Sequence, residues 1–558
     1  MAVEETEGKS PIKARRPRAA AKPKVDPPGS LVLRLHGPGM TPILRAGVGG
    51  LAASLRAIHK AHGSTAKWEA GVQVILGPGK ARVEAHQITL EWPEGGLEGT
   101  LGALWQGAFQ VSQGVIYLPG AHREGFDGTQ MVPVRLQEGM KNPFLQHGKS
   151  TEKTGAEKIL TIDHGEGPIT IQFQPYASYA HVKAIEDLLD GLRKRNTVEL
   201  PGWACPGAAQ RHVAYANTRT DYPPTEALAA LFSLVGCISL PCELGGGGFL
   251  VIPEPSDLIS YAKFLPSLNP GSIPDTAPSS LGDAVLLAEM SMLLENMDRP
   301  CAASFQGTWL KAMAWDKKQK YRSALVEVGI LSEETRNAYE ILRSTIPPRF
   351  IATKAGTTWV RPSHFRAFAS DNLVRGRPWY EGFSTHSITE SKKARFLHTY
   401  WASDKGHLGA LQFSEKEGLT RMTEQLAGNE RLLVEATHEA IRCLFGQIYS
   451  NYTALGGDLK KRYKDERQRI RLAFTSAKTQ DQVRSAFAEL WSRAGSIPTL
   501  KDHWSEIMAL VNGPKWMLTR DLALVALASY KGRTKEEEET PEDSEHSQSA
   551  NDSAEVTQ

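Results

Sequence analysis

The stretch PILRAGVGGLAASLRAI, residues 42–58, decides how the N-terminal half must be built. Ile43, Leu44, Val48, Leu51, Leu55 and Ile58 recur at the spacing of one helix face, and Pro42 suits a first helical turn, where its missing N–H is no loss. Gly47, Gly49 and Gly50 lie on the same helix, and each lowers its intrinsic propensity by about 1 kcal/mol relative to alanine. Glycines so placed make sense where another backbone packs closer than a Cβ would permit. The helix is therefore expected to lie against a second element of the same body.

Strand-like runs surround it. LVLRLHG (31–37) alternates apolar and polar residues, and VQVILG (72–77), RVEAHQITLEW (82–92), GVIYLP (114–119) and TIDHGEGPITIQFQP (161–175) follow. Helices are expected over 181–195, whose basic end LRKR suits the helix dipole, and over 225–235, with a short buried strand at 249–252. Further helices are expected at 284–297, 317–328 and 332–345. This mixed α/β body, of α+β class, spans 30–350. The pattern loosens through 351–420, a basic and aromatic connecting region. An all-α helical bundle follows over 421–531. A long helix beginning near Thr423 carries Leu426, Leu433, Ile441, Leu444, Phe445 and Ile448 on one face. Further helices are expected at 459–476, 481–494, 499–511 and 515–529, most of them separated by the turns ALGGD, AGSIP and NGPK. Residues 1–29 and 532–558 have the composition of disordered tails.

At 558 residues the chain is too long for one core. Its net charge of +3 conceals a division along the sequence. Residues 1–29 carry +3, and from Glu536 onward nine acidic residues stand without Lys or Arg, which leaves +9 on 30–535. A basic body trailing an acidic tail points to a polyanionic partner. The five cysteines (Cys205, Cys237, Cys242, Cys301, Cys443) form no CxxC pair and no zinc spacing, as expected of reduced thiols. No apolar run follows the basic start, and none reaches transmembrane length, so a cytoplasmic protein without membrane contact is expected.

Catalytic motifs are weak. Asp163-His164-Gly165-Glu166 reads as a turn between strands. His59 and His62, at i, i+3 on a helix, read as surface histidines without a further metal-ligand pattern. GxSxG, Walker A and HExxH are missing, so neither a catalytic centre, a metal nor a cofactor is expected. Gly245, Gly246, Gly247 and Gly248 lack dinucleotide-loop spacing; they read either as a flexible turn or as a loop that lets backbone approach a nucleic acid.

Cations interleaved with polar and aromatic residues are more suggestive, because phosphates need positive donors and unpaired bases offer faces for stacking. One such loop holds Lys141, Asn142, His147 and Lys149; another holds Trp203, Arg211, His212, Asn217 and Arg219. The connecting region adds Arg361, His364, Arg366, Arg375, Arg377, Trp379, Tyr380, Lys392, Lys393 and Arg395. In the bundle, KKRYKDERQRIR places Lys460, Lys461, Arg462, Lys464, Arg467, Arg469 and Arg471 against only two acids, Asp465 and Glu466, with which Arg469 can pair.

PGMTPILRAGVGGLAASL (38–55) and LPGWACPGAAQRHVAY (200–215) resemble the MYXAN-subtype large subunit of type I CRISPR Cascade, the family that includes DevT. The resemblance extends over about 30–530. It implies a non-catalytic subunit of an RNA-guided complex, working with crRNA, target double-stranded DNA, its displaced strand, and the backbone, handle-capping and small subunits. It implies a position at the crRNA 5′ handle, recognition of the protospacer-adjacent motif (PAM), duplex opening and R-loop stabilisation. It also implies recruitment of a helicase–nuclease or, in a CRISPR-associated transposon, a transposition adaptor. Met422 stands where an internally translated small subunit would start, leaving 137 residues. A stand-alone nuclease or hydrolase, or a protein-binding developmental regulator, are the alternatives.

Overall fold

A computed structural model describes residues 28–531, apart from 129, 146–150, 164–167, 195–196, 202–218, 244–245, 296–299, 316–317, 329–330, 353–357, 362, 386–406 and 456–457. The glycine-bearing segment is a helix, Pro42–Ala61, and its buried face includes all three glycines. It crosses the helix Pro224–Gly236 with almost no room between backbones. A Cβ built on Gly47 would lie 2.8 Å from the carbonyl carbon of Ala229, and one on Gly50 would lie 2.5 Å from the amide nitrogen of Gly236. The approach is reciprocal, since a Cβ on Gly236 would lie 2.5 Å from the carbonyl carbon of Ala46. Gly49 serves a third neighbour, Tyr261 of the helix Leu258–Leu268, whose hydroxyl donates to the Gly236 carbonyl at 2.6 Å.

One side of this helix pair is closed by an antiparallel sheet in the order Gly29–Arg34, Gln87–Trp92, Gly79–Val83, Val72–Leu76. Its period-two pattern buries Val72, Val74 and Leu76 and exposes Gln73 and Ile75. A second antiparallel meander joins Ile238–Pro241, Gly248–Pro255, Ala302–Trp315 and Lys318–Val328. The helix expected over 317–328 is thus a strand. Val326 and Val328 favour the extended chain, and the ladder pairs every residue from Phe305↔Val328 to Trp315↔Lys318, so tertiary pairing overrides helix propensity.

Three more expectations need adjustment. The helix over 181–195 is divided into Ala180–Lys183 and Ile185–Lys194, and that over 499–511 into Pro498–Asp502 and Trp504–Val511. The long helix does not begin near Thr423. One helix, His407–Glu424, ends there, and another, Gly428–Leu455, starts after a break in which Gly428 adopts φ +53°. The helices Leu459–Ser476, Gln480–Ala494 and Trp516–Ser529 complete the C-terminal bundle.

Body and bundle are stitched by buried polar bonds. Asp521 accepts from the amides of Gly382 at 2.7 Å and Ser384 at 3.1 Å, and the Tyr380 hydroxyl donates to Glu430 at 2.5 Å. The helix His407–Glu424 packs in the other direction, with Gly418 set against Ile346. Among the described residues no helix is long and apolar enough to cross a membrane.

Candidate nucleic-acid interface

Two of the loops singled out in the sequence meet at one edge of the meander. Lys141 and Asn142 follow the helix Met131–Met140, and the turn at Gly246–Gly247 connects the first two strands of the meander. Gly248 lies beneath both, and a Cβ there would stand 3.5 Å from that of Asn142. The glycines have packing reasons of their own. Gly246 and Gly247 take φ of +65° and +96°, and a Cβ on Gly248 would meet the Gly139 carbonyl at 3.0 Å. The turn is anchored by the Trp309 indole, which donates to the Gly246 carbonyl at 3.1 Å, and by Arg135, buried between Glu138 and Glu243. Lys311, from the same strand as Trp309, lies over Gly246. The edge thus gathers two lysines, one half-buried indole and two glycines with left-handed backbone. Trp309 and Lys311 are not among the candidates from sequence, because WLKAMAW (309–315) breaks the alternation that would mark a strand.

The basic helix Leu459–Ser476 divides by exposure. Lys460, Lys461, Arg462 and Lys464 are exposed at its start, where Asp458 caps the helix by accepting from the Lys461 amide. Four cations near the positive end of a helix dipole oppose that dipole, so local helix stability does not account for them. The other three cations are turned toward the protein. Arg469 pairs with Glu489 of the next helix at 2.6 Å, and not with Asp465 or Glu466 as its spacing suggested; Glu466 instead holds Arg493. Arg467 turns inward over the Phe445 ring, 5.4 Å from its centroid, and burial pulls its guanidinium below its ordinary range. Arg471 is half-buried, with the same direction of shift from burial.

In the connecting region the expectation fails for Arg366. It is only 2% exposed, and its guanidinium donates to Asp283 at 2.9 and 3.0 Å. Tyr339 donates to the same carboxylate oxygen at 2.7 Å, and the amide of Ser279 bonds the other oxygen. Burial alone would lower the Arg366 affinity for its proton, but Asp283 and Tyr339 hold it above the ordinary range. Arg366 therefore ties three helices together and cannot reach a phosphate. Trp379 and Tyr380 are likewise buried rather than offered for stacking, because they pack with Phe365 and Glu430.

Arg375 is exposed, and Arg377, also exposed, pairs with Glu381 at 3.3 Å. The backbone of Arg361 lies in the strand Thr358–Arg361 and that of Arg219 in the strand Arg219–Tyr222. Lys149, Arg211, His212, Asn217, Gly245, Lys392 and Lys393 lie outside the described residues, as do His147, Trp203 and Arg395. The strands Lys158–Asp163 and Pro168–Phe173 form an antiparallel pair; of the motif read as a turn, the backbone of Asp163 ends the first strand, and His164, Gly165 and Glu166 lie outside the described residues. His59 is buried rather than on the surface, with Nε2 3.0 Å from the Ala66 carbonyl oxygen, while His62 is exposed. Met422, 2% exposed, lies within the helix His407–Glu424.

This organisation coincides with a known one. The family described as the DevT N-terminal domain matches residues 32–231, and the DevT C-terminal domain matches residues 422–556. CRISPR-associated protein Cas8a1/Csx13 of Myxococcus xanthus (strain DK1622) is 40% identical over 539 residues, covering 93% of each chain. The chain belongs to the Cas8a1/Csx13 family. For a Cas8a1/Csx13 protein, the two matched segments fall on distinct parts of the architecture. The N-terminal match contains the Pro42–Ala61 helix and most of its crossing partner, and the C-terminal match contains the whole helix Gly428–Leu455 and the basic helix.

Proposed function

We propose that the chain is the large subunit of a Cascade-type RNA-guided DNA-targeting complex, acting by binding and positioning, without a catalytic centre of its own. The match to the Cas8a1/Csx13 relative along 93% of both chains carries this reading. In the complex it sits at the 5′ handle of the crRNA, reads the PAM in duplex DNA and helps open and hold the R-loop. Base pairing supplies sequence recognition, while protein supplies the motif contacts and grips the backbone. The edge formed by Lys141, Gly246, Gly247 and Lys311 suits close approach to a duplex, because the turn presents little bulk beside two cations. The exposed start of the basic helix suits the phosphates of the displaced strand. The other Cascade subunits and a helicase–nuclease or transposition adaptor are its protein partners, in the cytoplasm.

The test is reconstitution with guide RNA and neighbouring subunits, followed by binding to matched duplexes across a salt series. Replacing Lys460, Lys461, Arg462 and Lys464 by alanine is expected to weaken binding uniformly across sequences. Each lost contact to a displaced-strand phosphate flattens the salt slope by about 0.7. An unchanged slope would reduce that helix start to ordinary surface, and a complex that binds target equally well without this subunit would overturn the whole assignment.

Met422 is proposed as an internal start giving a small-subunit-like product. Expression of the full gene, with and without Met422→Leu, checks this. A C-terminal fragment of 137 residues that disappears in the variant is the expected result; its absence from the unaltered gene would end the proposal.

A further inference from the structure

Where the basic helix meets the end of the bundle, four cations from four parts of the chain converge around three rings. Phe445 packs against Tyr463 at 4.9 Å and Tyr530 at 5.6 Å between centroids, and Arg467 lies over its face. Arg442 bonds the Tyr530 side chain and Lys416 lies beside Arg467 and Lys531. The Nε of Arg467 is buried without a protein partner among the described residues. The charges felt by Lys416 are Arg467 and Lys531, both positive, and burial together with these pushes its amine down to about 8. Like charges half-buried together, with one guanidinium N–H unpartnered, favour an anion beside Lys416 and Arg467.

The chain itself supplies one. Lys531 lies at this junction, and 27 residues follow it to Gln558. The first are Gly532, Arg533, Thr534 and Lys535; the nine acidic residues begin at Glu536. At about 3.5 Å per residue, five residues can place Glu536 no further than about 18 Å from Lys531. Tethering of this kind gives an effective concentration on the order of millimolar, with no diffusion between site and ligand. Lys531, Arg533 and Lys535 are cations within the tether, so the favourable partner for the junction is the run from Glu536 to Glu545 and not the residues before it.

We propose that the junction of Lys416, Arg442, Arg467 and Lys531 is an anion site filled in cis by the acidic segment Glu536–Glu545. By filling it, the segment competes with nucleic acid for the C-terminal helices. The competition rests on the nucleic-acid reading above, whereas occupancy of the site by the segment does not.

Zero-length carbodiimide cross-linking of the full chain, read by mass spectrometry, tests occupancy. Links from Lys416 to Glu536–Glu545 are expected, with loss of the adduct in Arg442→Gln, an exposed change that spares the core. Acidic residues linking instead to Lys460, Lys461 or Lys464 would overturn the site, as would none linking at all. Competition is read by fluorescence anisotropy with a single-stranded oligothymidylate at low and high salt. A chain ending at Lys535 is expected to bind about tenfold more tightly at low salt, with the difference lost at high salt. In Arg442→Gln, and in Lys416→Met, which keeps the apolar stem, truncation is expected to give less than half that gain. An equal gain in those variants would show that the tail acts by repulsion or elsewhere. If neither chain binds the oligonucleotide, the nucleic-acid reading fails while the cross-links still decide the occupant.

Discussion

Replacing Gly47 by alanine tests the packing on which the N-terminal body depends. The added Cβ would lie 2.8 Å from the carbonyl carbon of Ala229 and 3.1 Å from the amide nitrogen of Ser233. Carbon atoms are comfortable at about 3.5–4.0 Å, so the two helices must part by at least about 1 Å. The Ala229 carbonyl oxygen lies closer still, all three colliding atoms are backbone, and no rotamer change relieves them. The interface lost in that movement is densely buried, since every residue from Ala227 to Gly236 is in the core. Overpacking of this kind costs about 1–3 kcal/mol, and a rigid backbone partner puts Gly47 at the top of that range. Alanine returns up to about 1 kcal/mol of helix propensity, leaving a net loss of about 2 kcal/mol. Gly102 and Gly446 are the internal controls, because a Cβ on either meets nothing within 4 Å. Gly102→Ala and Gly446→Ala should therefore stabilise by up to about 1 kcal/mol. Gly236→Ala forces the same two helices apart at a second point, against Ala46 and Gly50, so its cost combined with Gly47→Ala should be less than the sum of the two. Native-state hydrogen exchange on the full chain, which reports the N-terminal body separately from the bundle, is the suitable assay. Gly47→Ala as protected as wild type, or equal to Gly102→Ala, would refute the close-contact account.

Other consequences follow from buried charge. Arg366→Ala strands the Asp283 carboxylate in the core and is expected to cost about 3–5 kcal/mol, seen as a lowered unfolding midpoint; nucleic-acid affinity at a temperature where the variant is folded should be unchanged. Burial pushes His438 down to about 4 and His122 and His181 to about 3, from an ordinary 6.5. The unfolded chain therefore binds more protons than the folded one below about pH 6.5, and stability falls as pH drops toward 4, with His438 alone worth on the order of 3 kcal/mol. A urea series between pH 7 and pH 5 that shows no loss would contradict this. Lys416, held near 8 against an ordinary 10.5, acts with the same sign in an alkaline window: its unfolded form keeps the proton between about pH 8 and 10.5, so stability rises across that interval. Lys416→Met should remove that slope and, in a chain ending at Lys535, raise stability at pH 7 by on the order of 1–3 kcal/mol.

The parts of this architecture legible in the sequence are those where one local signal has one physical solution. Three glycines on one helix require close neighbours, and the backbone at Ala229, Ser233 and Gly236 supplies them for Gly47 and Gly50, the Tyr261 ring for Gly49. The helices at 459–476 and 332–345 carry their own caps, Asp458 and Ser332, and their bounds follow. The strand Lys318–Val328 was not legible, because its identity is fixed by eleven pairings with a strand that the local pattern did not reveal. Charged residues show the same division. Exposure of Lys460–Arg462 follows from a run with nothing apolar in it, yet nothing local separates Arg366 from Arg375. What separates them is Asp283, 83 residues away. A basic residue in an aromatic stretch is as apt to seal a helix junction as to meet a phosphate, and only the position of its carboxylate decides. The bundle as an independent unit depends on distant partners in the same way. Asp521 takes two of its hydrogen-bond donors from Gly382 and Ser384, and Thr420 donates to the Ser529 carbonyl. A product starting at Met422 would lack all three, leaving a buried carboxylate without those donors. Such a fragment must therefore present the Asp521 end to water or to another subunit, and it would be stabilised wherever a neighbour supplies the amides that Gly382 and Ser384 supply here.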